Sequence, residues 1–213
     1  MNQTKSRTLL LLGCQRSGTT LLAAMLGGHS EINMLFESTS GDVLRLIGKK
    51  YNGNKLLPWR QIRKKQKASK FGHFMNRLVN LDFSRNGSSH PKIRLFPTSS
   101  LSIEDYLKND ARIITITRNR EEVVRSITTR TKLSRKQAEK EYDRSMQEME
   151  GLTNMAFQVD FADLVNHPVE TLQAICEYLE LEFESRMLEG VEYNFVYPHS
   201  SVMKDKSTLV PVH

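Results

Sequence analysis

The chain has 213 residues, 38% of them hydrophobic and 26% charged, with a formal net charge of +7. This length supports a single domain spanning residues 1–213, and no apolar stretch approaches the ~18 residues of a membrane span. Its two cysteines imply no disulfide framework, so we expect a cytoplasmic protein. The positive charge favours an anionic partner, such as a nucleic acid, a phosphorylated cofactor or an acidic substrate.

The first predicted elements are a strand, a loop and a helix. Residues 8–12 are continuously apolar and predict a buried strand, and the spacing of apolar residues in 18–26 predicts a helix. The loop between them nearly matches the phosphate-binding pattern G-x-x-x-x-G-K-[ST], with Thr19 in place of the lysine. Such a turn surrounds an anion with backbone N–H groups. The missing lysine argues against γ-phosphoryl chemistry but not against a shorter phosphate anhydride.

Polar groups of this loop extend the anion-binding pattern. Arg16 offers a guanidinium fork for a phosphate or a related oxyanion. Ser17, Thr19 and Thr20 offer hydroxyl donors, and Gly18 allows the tight turn. The alternative is a tight strand-to-helix turn that binds no ligand.

The middle of the chain changes character. Residues 32–36 predict a second short strand, and residues 42–50 a helix. Residues 55–70 are rich in lysine and arginine, and residues 71–83 have helical apolar spacing. We therefore expect a basic helical insertion or cap at about 45–90 over the core.

The second half alternates helices and strands. Helices are predicted at 102–109, 121–130, 134–150 and 168–179, with Ser102 and Ser134 as N-caps, and strands at 111–117 and 157–160. This alternation predicts an α/β domain of three layers, with a mainly parallel sheet and helices on both faces, similar to the P-loop NTPases. Ligands of such sheets bind outside the carboxyl ends of the strands.

A second candidate anion site follows the strand at 111–117. Arg118 lies at the carboxyl end of that strand, and Ser126 lies eight residues later on the next helix. The alternative is an ordinary solvated helix start, because surface charge is common.

These motifs resemble the sulfotransferases that use 3′-phosphoadenosine 5′-phosphosulfate (PAPS). The stretch "GCQRSGTTLLAAMLGGHSEI" is similar to their 5′-phosphosulfate loop, with Ser30 where the family has proline. In that family a strand ends in Arg-Asp-Pro or a variant, and a serine eight residues later joins the arginine on the 3′-phosphate. Arg118 and Ser126 keep this spacing, with Asn119-Arg120 in place of Asp-Pro. Residues 157–184 resemble the family's late segment, which packs the fold.

The resemblance implies a PAPS-dependent sulfotransferase. Such an enzyme moves a sulfuryl group to a hydroxyl or amine acceptor and releases adenosine 3′,5′-bisphosphate (PAP), without a metal. The implied cofactor-binding residues are Arg16, Ser17, Gly18, Thr19, Thr20, Arg118 and Ser126, together with Ser201 and Lys204 of the C-terminal tail. The acceptor is a small molecule, a glycan or a peptide, and we expect no nucleic acid partner.

Glu37 is the candidate general base. It lies 21 residues beyond Arg16, a spacing that resembles the catalytic carboxylate of tyrosylprotein sulfotransferases. Alternatively it is a capping or surface carboxylate beside Ser38 and Ser40. Arg16 and Lys92 are candidates for stabilising transition-state charge, although Lys92 is equally well interpreted as a solvated lysine. His29 is interpreted as part of the turn after the first helix.

Two other functions stay open at this point. A P-loop kinase with a displaced lysine would bind ATP and depend on magnesium. A polyanion-binding protein would use the basic run at 55–70, which lacks the regular interleaving of aromatic residues found in single-strand binders.

Overall fold

The computed structural model describes residues 6–45, 48–65, 72, 74–78 and 96–189. Five strands form one sheet in the order β2-β3-β1-β4-β5, and every neighbouring pair is parallel. The strands are β1 (Arg7–Leu12), β2 (Ile32–Phe36), β3 (Tyr51–Leu56), β4 (Arg112–Thr117) and β5 (Ala156–Asp160). The predicted α/β class with a parallel sheet is confirmed.

Six longer helices and two 3₁₀ turns connect the strands in the described ranges. The helices are α1 (Thr19–Gly27), α2 (Ile103–Lys108), α3 (Arg120–Arg130), α4 (Arg135–Met149), α5 (Phe161–Asn166) and α6 (Pro168–Tyr178), and the 3₁₀ turns are Gly41–Arg45 and Ser185–Glu189. Residues 74–78 are also helical. None of the helices described is both long enough and apolar enough to cross a membrane.

The central strand β1 separates two apolar layers. Leu9 and Leu11 pack with α1 and α6 on one face of the sheet, and Leu10 and Leu12 pack with α2 and the end of α4 on the other. Successive side chains of a strand point to opposite faces, so a strand that is apolar throughout is covered on both sides. The predicted three-layer architecture follows from this alternation.

Strand β3 is the main departure from the predicted elements. It lies between β2 and β1 and is buried along its whole length, although it falls within the segment expected to be a helical insertion. The helix expected at 42–50 is replaced by the short 3₁₀ turn. The sequence YNGNKL hides the strand because buried Asn52, Asn54 and Lys55 break the apolar pattern on which strand prediction depends.

All five carboxyl ends lie at one edge of the sheet because all the strands are parallel. The loop of residues 13–18, named the donor loop because the resemblance assigns it to the phosphosulfate, follows β1. Glu37 follows β2, and Arg118 follows β4. Both predicted N-caps are confirmed, since Ser102 and Ser134 each form a capping box. The candidate site is therefore assembled from loops at a single edge of a rigid sheet.

Candidate active site

Two glycines shape the loop between β1 and α1. A Cβ atom on Gly13 would lie 2.6 Å from the Thr19 methyl group and 2.7 Å from the Ile116 carbonyl oxygen. Gly18 has φ +94°, and a Cβ there would collide with the Phe161 ring. Gly13 is needed because no side chain fits there. Gly18 is needed for the same reason and also because of its positive φ.

Ser17 fixes this loop from inside. Its hydroxyl is buried and donates to the carbonyl oxygens of Cys14 at 2.6 Å and Ile116 at 3.4 Å, and its backbone N–H also donates to Cys14. The hydroxyl proton is thus used inside the protein, and a contact of Ser17 with a ligand stays a prediction. Thr19 is buried, and Thr20 is partly exposed at the helix start.

The N-terminus of α1 is left open. No side chain caps it, and its first turn holds no acidic residue. By contrast, side chains cap α2, α3, α4 and α5, and α6 begins with a proline. The first N–H groups of a helix need partners, and an anion supplies them.

The structure brings the two predicted anion sites together. Arg16 has φ +69°, and its Nε donates to the Ser126 hydroxyl at 3.2 Å. The Arg118 guanidinium reaches the Arg16 carbonyl oxygen at 3.5 Å. A left-handed backbone is uncommon for an arginine and marks a constrained site.

Positive charge accumulates where these residues meet. Burial, together with repulsion from Arg130 and Arg118, lowers the pKa of Arg16 below its ordinary value. Within the described ranges no carboxylate forms an ion pair with Arg16, whereas Arg118 is paired with Glu122 at 2.8 Å. This excess positive charge favours an anionic ligand.

Arg130 was missed by the sequence analysis, although a signal was available. It lies four residues after Ser126 on α3, and residues at that spacing share one face of a helix.

Two contacts hold Arg118 in place. Its guanidinium lies 4.3 Å from the centroid of the Phe161 ring, and its carbonyl oxygen accepts a hydrogen bond from the Tyr142 hydroxyl at 3.3 Å. The next residue, Asn119, caps α3 by accepting from the N–H groups of Glu121 and Glu122. An asparagine here performs the capping that an aspartate would, so this turn keeps a capped start.

Glu37 follows β2 at the same edge. It has φ +59°, and its side chain is 30% exposed. Lys55 Nζ donates to Oε1 at 2.5 Å, and Gln61 Nε2 donates to Oε2. None of the described α-helices is capped by Glu37.

A buried asparagine fixes the turn that carries Glu37. Asn54 accepts from the backbone N–H of Ser38 at 3.1 Å, and its amide donates to the Ser38 carbonyl at 2.9 Å and the Tyr106 hydroxyl at 3.0 Å. Burial raises the pKa of Tyr106 to about 12, so this tyrosine remains a neutral partner. Neither Asn54 nor Lys55 was expected at the site, since both lie on the unpredicted strand.

Contacts connect Glu37 with the donor loop. Gln61 contacts Glu37, and its neighbour Arg60 donates to the Gln15 side chain at 2.9 Å. One strand, β3, separates β2 from β1, so the two strand ends are about 10 Å apart.

Much of the described basic run is used inside the protein. Lys55 binds Glu37, Arg60 forms an ion pair with Glu141 at 3.2 Å, and Arg63 stacks 3.8 Å from the Trp59 ring centroid. Residues bonded in this way are poorly suited to track a polyanion, which needs solvent-facing cations.

Several predicted residues lie outside the described part. These are Lys92, Ser201 and Lys204. His29 lies in the turn after α1, where its Nε2 contacts the Glu182 carbonyl at 2.8 Å and its Nδ1 accepts from the Glu31 N–H. It is buried and occupied on both nitrogens, which confirms its interpretation as part of the turn.

A family model matches part of the chain. Residues 105–185, which include Arg118, Ser126 and Phe161, match the model described as "Sulfotransferase family". This segment of the chain is similar to the sulfotransferase family. No curated protein sequence matches it significantly.

Solved structures share the fold of this chain. The sulfotransferase domain of the Synechococcus PCC 7002 olefin synthase is 18% identical, with a TM-score of 0.55 over 99% of this chain and 87% of that one. The mouse sulfotransferase SULT7A1, complexed with PAP, is 12% identical, with a TM-score of 0.54 over 92% and 66%. The sulfotransferase domain of the curacin biosynthetic pathway is 16% identical, with a TM-score of 0.50 over 89% and 78%.

Proposed function

We propose that this protein is a sulfotransferase that moves the sulfuryl group of PAPS to a hydroxyl or amine acceptor, with Glu37 as the general base. The observation that carries the proposal is the hydrogen bond from Arg16 to Ser126. It joins the loop suited to a 5′-phosphosulfate to the serine suited to a 3′-phosphate. A nucleotide with phosphates on both sides of one ribose matches two adjacent anion sites.

The donor loop suits the 5′ end of this nucleotide, and the start of α3 suits its 3′-phosphate. The open N-terminus of α1 and the Arg16 guanidinium suit the 5′ end, where they would neutralise the departing phosphate. Arg118, Ser126 and Arg130 suit the 3′-phosphate, and the Phe161 ring beside Arg118 shields one side of that guanidinium from water. The mouse homologue with PAP bound is consistent with this assignment of the nucleotide.

The acceptor would lie between Glu37 and the donor loop. Glu37 takes the acceptor proton, and Lys55 stabilises the ionised carboxylate that must be present before this transfer. PAPS supplies the activated sulfuryl group: the acceptor oxygen or nitrogen bonds to sulfur while the bond from sulfur to the 5′-phosphate oxygen breaks, releasing PAP. Lys92, Ser201 and Lys204 remain predictions for this site.

Calorimetry with PAP tests the nucleotide assignment. Arg16→Ala and Arg118→Ala should each weaken PAP binding, whereas Arg135→Ala should not, because Arg135 is an exposed arginine paired with Glu121 and Glu139. Wild-type affinity in either site variant would remove that residue from the nucleotide site.

Turnover separates this proposal from its alternatives. Transfer from radiolabelled PAPS to a panel of phenols, sugars and peptides should persist in EDTA and disappear in Glu37→Gln. Binding of ATP with magnesium in preference to PAP would favour the kinase instead. Tight, steeply salt-dependent binding of DNA without PAP binding would favour the polyanion-binding protein.

A further inference from the structure

The two oxygens of the Glu37 carboxylate have different partners. Oε1 accepts from the charged ammonium of Lys55 at 2.5 Å, and Oε2 accepts from the neutral amide of Gln61. We infer that Gln61 is a positioning residue, which orients the Glu37 carboxylate toward the acceptor and favours its ionised form. The inference rests on the proposed function for the role of Glu37 as the base.

Gln61 is itself held rigidly. It is buried, its backbone N–H donates to the Leu57 carbonyl at 2.9 Å, and its carbonyl accepts from the Ser99 N–H at 2.7 Å. Its side-chain Oε1 accepts from the Leu57 N–H at 2.7 Å. A buried residue held by two backbone contacts and one side-chain contact can impose its orientation on a carboxylate that is 30% exposed.

The Leu57 contact also determines which end of the amide faces Glu37. An amide oxygen accepts and an amide nitrogen donates. Because Oε1 is occupied by a backbone N–H, Nε2 is the end that meets the carboxylate. The reversed amide would place two acceptors together at Glu37 and two donors together at Leu57.

A neutral donor suits a base that must also lose its negative charge. Hydrogen bonding to the ionised form lowers a carboxyl pKa, and a second full positive charge would lower it further. Gln61 therefore orients the carboxylate without making it as weak a base as a second lysine would.

The same turn also reaches the donor loop. Gln61 lies next to Arg60, which contacts Gln15 at 2.9 Å and pairs with Glu141 on α4. A bridge between Pro58 and Ile62 closes the turn. Gln61 thus belongs to a braced segment that contacts both the base and the loop before Arg16.

Carbon-13 NMR of labelled glutamate side chains tests this inference directly. The Glu37 signal is assigned by its absence in Glu37→Gln, and its pKa is measured in wild type, Gln61→Met and Gln61→Glu. We expect a rise of about 1 unit in Gln61→Met, the scale of one hydrogen bond to a charged group. The rise should be larger in Gln61→Glu, because two carboxylates then face each other.

A matched control removes a glutamine amide elsewhere. Gln158→Met on β5 loses a hydrogen bond to the Thr153 carbonyl and should leave the Glu37 pKa unchanged. The second measurement is the pH dependence of PAP release from PAPS with water as the acceptor. As the pH is lowered, the rate should fall at a higher pH in Gln61→Met than in wild type, because this acid limb follows the pKa of the base. A purely structural role for Gln61 would lower the rate at every pH without moving that limb.

The outcomes separate this inference from the proposed function. An unchanged Glu37 pKa in a folded Gln61 variant overturns the inference, as does an equal shift in Gln158→Met. If Gln61→Met does not fold, Gln61→Glu, which keeps an acceptor for the Leu57 N–H, decides the question. Sulfuryl transfer by Glu37→Gln at the wild-type rate would instead overturn the role of Glu37 as the base. The Glu37 pKa measured in the Gln61 variants would still test the contact between Gln61 and Glu37.

Discussion

Replacing Arg16 by alanine distinguishes its contribution to nucleotide binding from its contribution to the free energy of unfolding. The guanidinium is held among positive charges, with repulsion from Arg118 and Arg130 and a single described hydrogen bond to Ser126. The substitution loses that hydrogen bond, about 1 kcal/mol, and relieves the repulsion. We therefore expect the free energy of unfolding to change by no more than about 1 kcal/mol, or about 2–4 °C in Tm.

PAP binding should respond much more strongly. Two hydrogen bonds from a guanidinium to a phosphate contribute about 3 kcal/mol together, at the low end of about 1.5–3 kcal/mol each for charged partners. Since 1.4 kcal/mol corresponds to a factor of ten, the Kd should rise about 100-fold. Titration calorimetry measures this Kd, and thermal unfolding of the same samples without PAP measures stability.

The comparison contains its own control. Arg135→Ala removes an arginine whose side chain is 63% exposed and should change neither the Kd nor the Tm appreciably. A Kd within about threefold of wild type for Arg16→Ala would refute the assignment of Arg16 to the nucleotide. A fall in Tm above about 10 °C would show instead that Arg16 supports the fold, contrary to the magnitudes above.

Three further outcomes follow from the same geometry. Gly18→Ala should lose about 1–3 kcal/mol of stability because of its positive φ, and more because its Cβ would collide with Phe161. Gly27→Ala is the control, since its Cβ would lie 3.4 Å from its nearest neighbour. Thermal unfolding should show little loss of stability in this control. Burial raises the pKa of Cys14 to about 12, so a thiol reagent at pH 8 should leave it unmodified until the protein unfolds; rapid labelling of the folded protein would contradict its burial. Hydrogen bonds from Arg7 and Arg112 lower the pKa of Glu180. The ionised carboxylate therefore stabilises the fold at pH values above its ordinary pKa of 4.5. This stabilisation is lost as the pH falls through the lowered pKa. Glu180→Gln should therefore lower the Tm at pH 7, with the difference shrinking in acid; a difference independent of pH would refute the pairing.

The donor loop was readable from sequence because its signals are local. A buried strand, a loop with two glycines and an apolar helix lie in one continuous stretch, and each depends on its own residues. The same holds for Arg118, which directly follows a β-branched strand, and for the serine caps of α2 and α4. These elements needed no knowledge of what packs against them.

Strand β3 was not readable because its polar residues are explained only by distant partners. Asn54 is paired with Ser38 and Tyr106, and Lys55 with Glu37. Hydrophobic periodicity registers such residues as exposed, since it contains no information about hydrogen bonds between elements.

The sequence by itself determined the class of fold and the two motifs at the ends of β1 and β4, because turn chemistry and apolar spacing act within a few residues. Only the tertiary structure decided that Arg16 touches Ser126, 110 positions later, and that Lys55 and Gln61 bracket Glu37. The physical reason is that parallel strand pairing brings distant carboxyl ends to one edge. The charges and hydrogen bonds that define the site exist only after that pairing has formed.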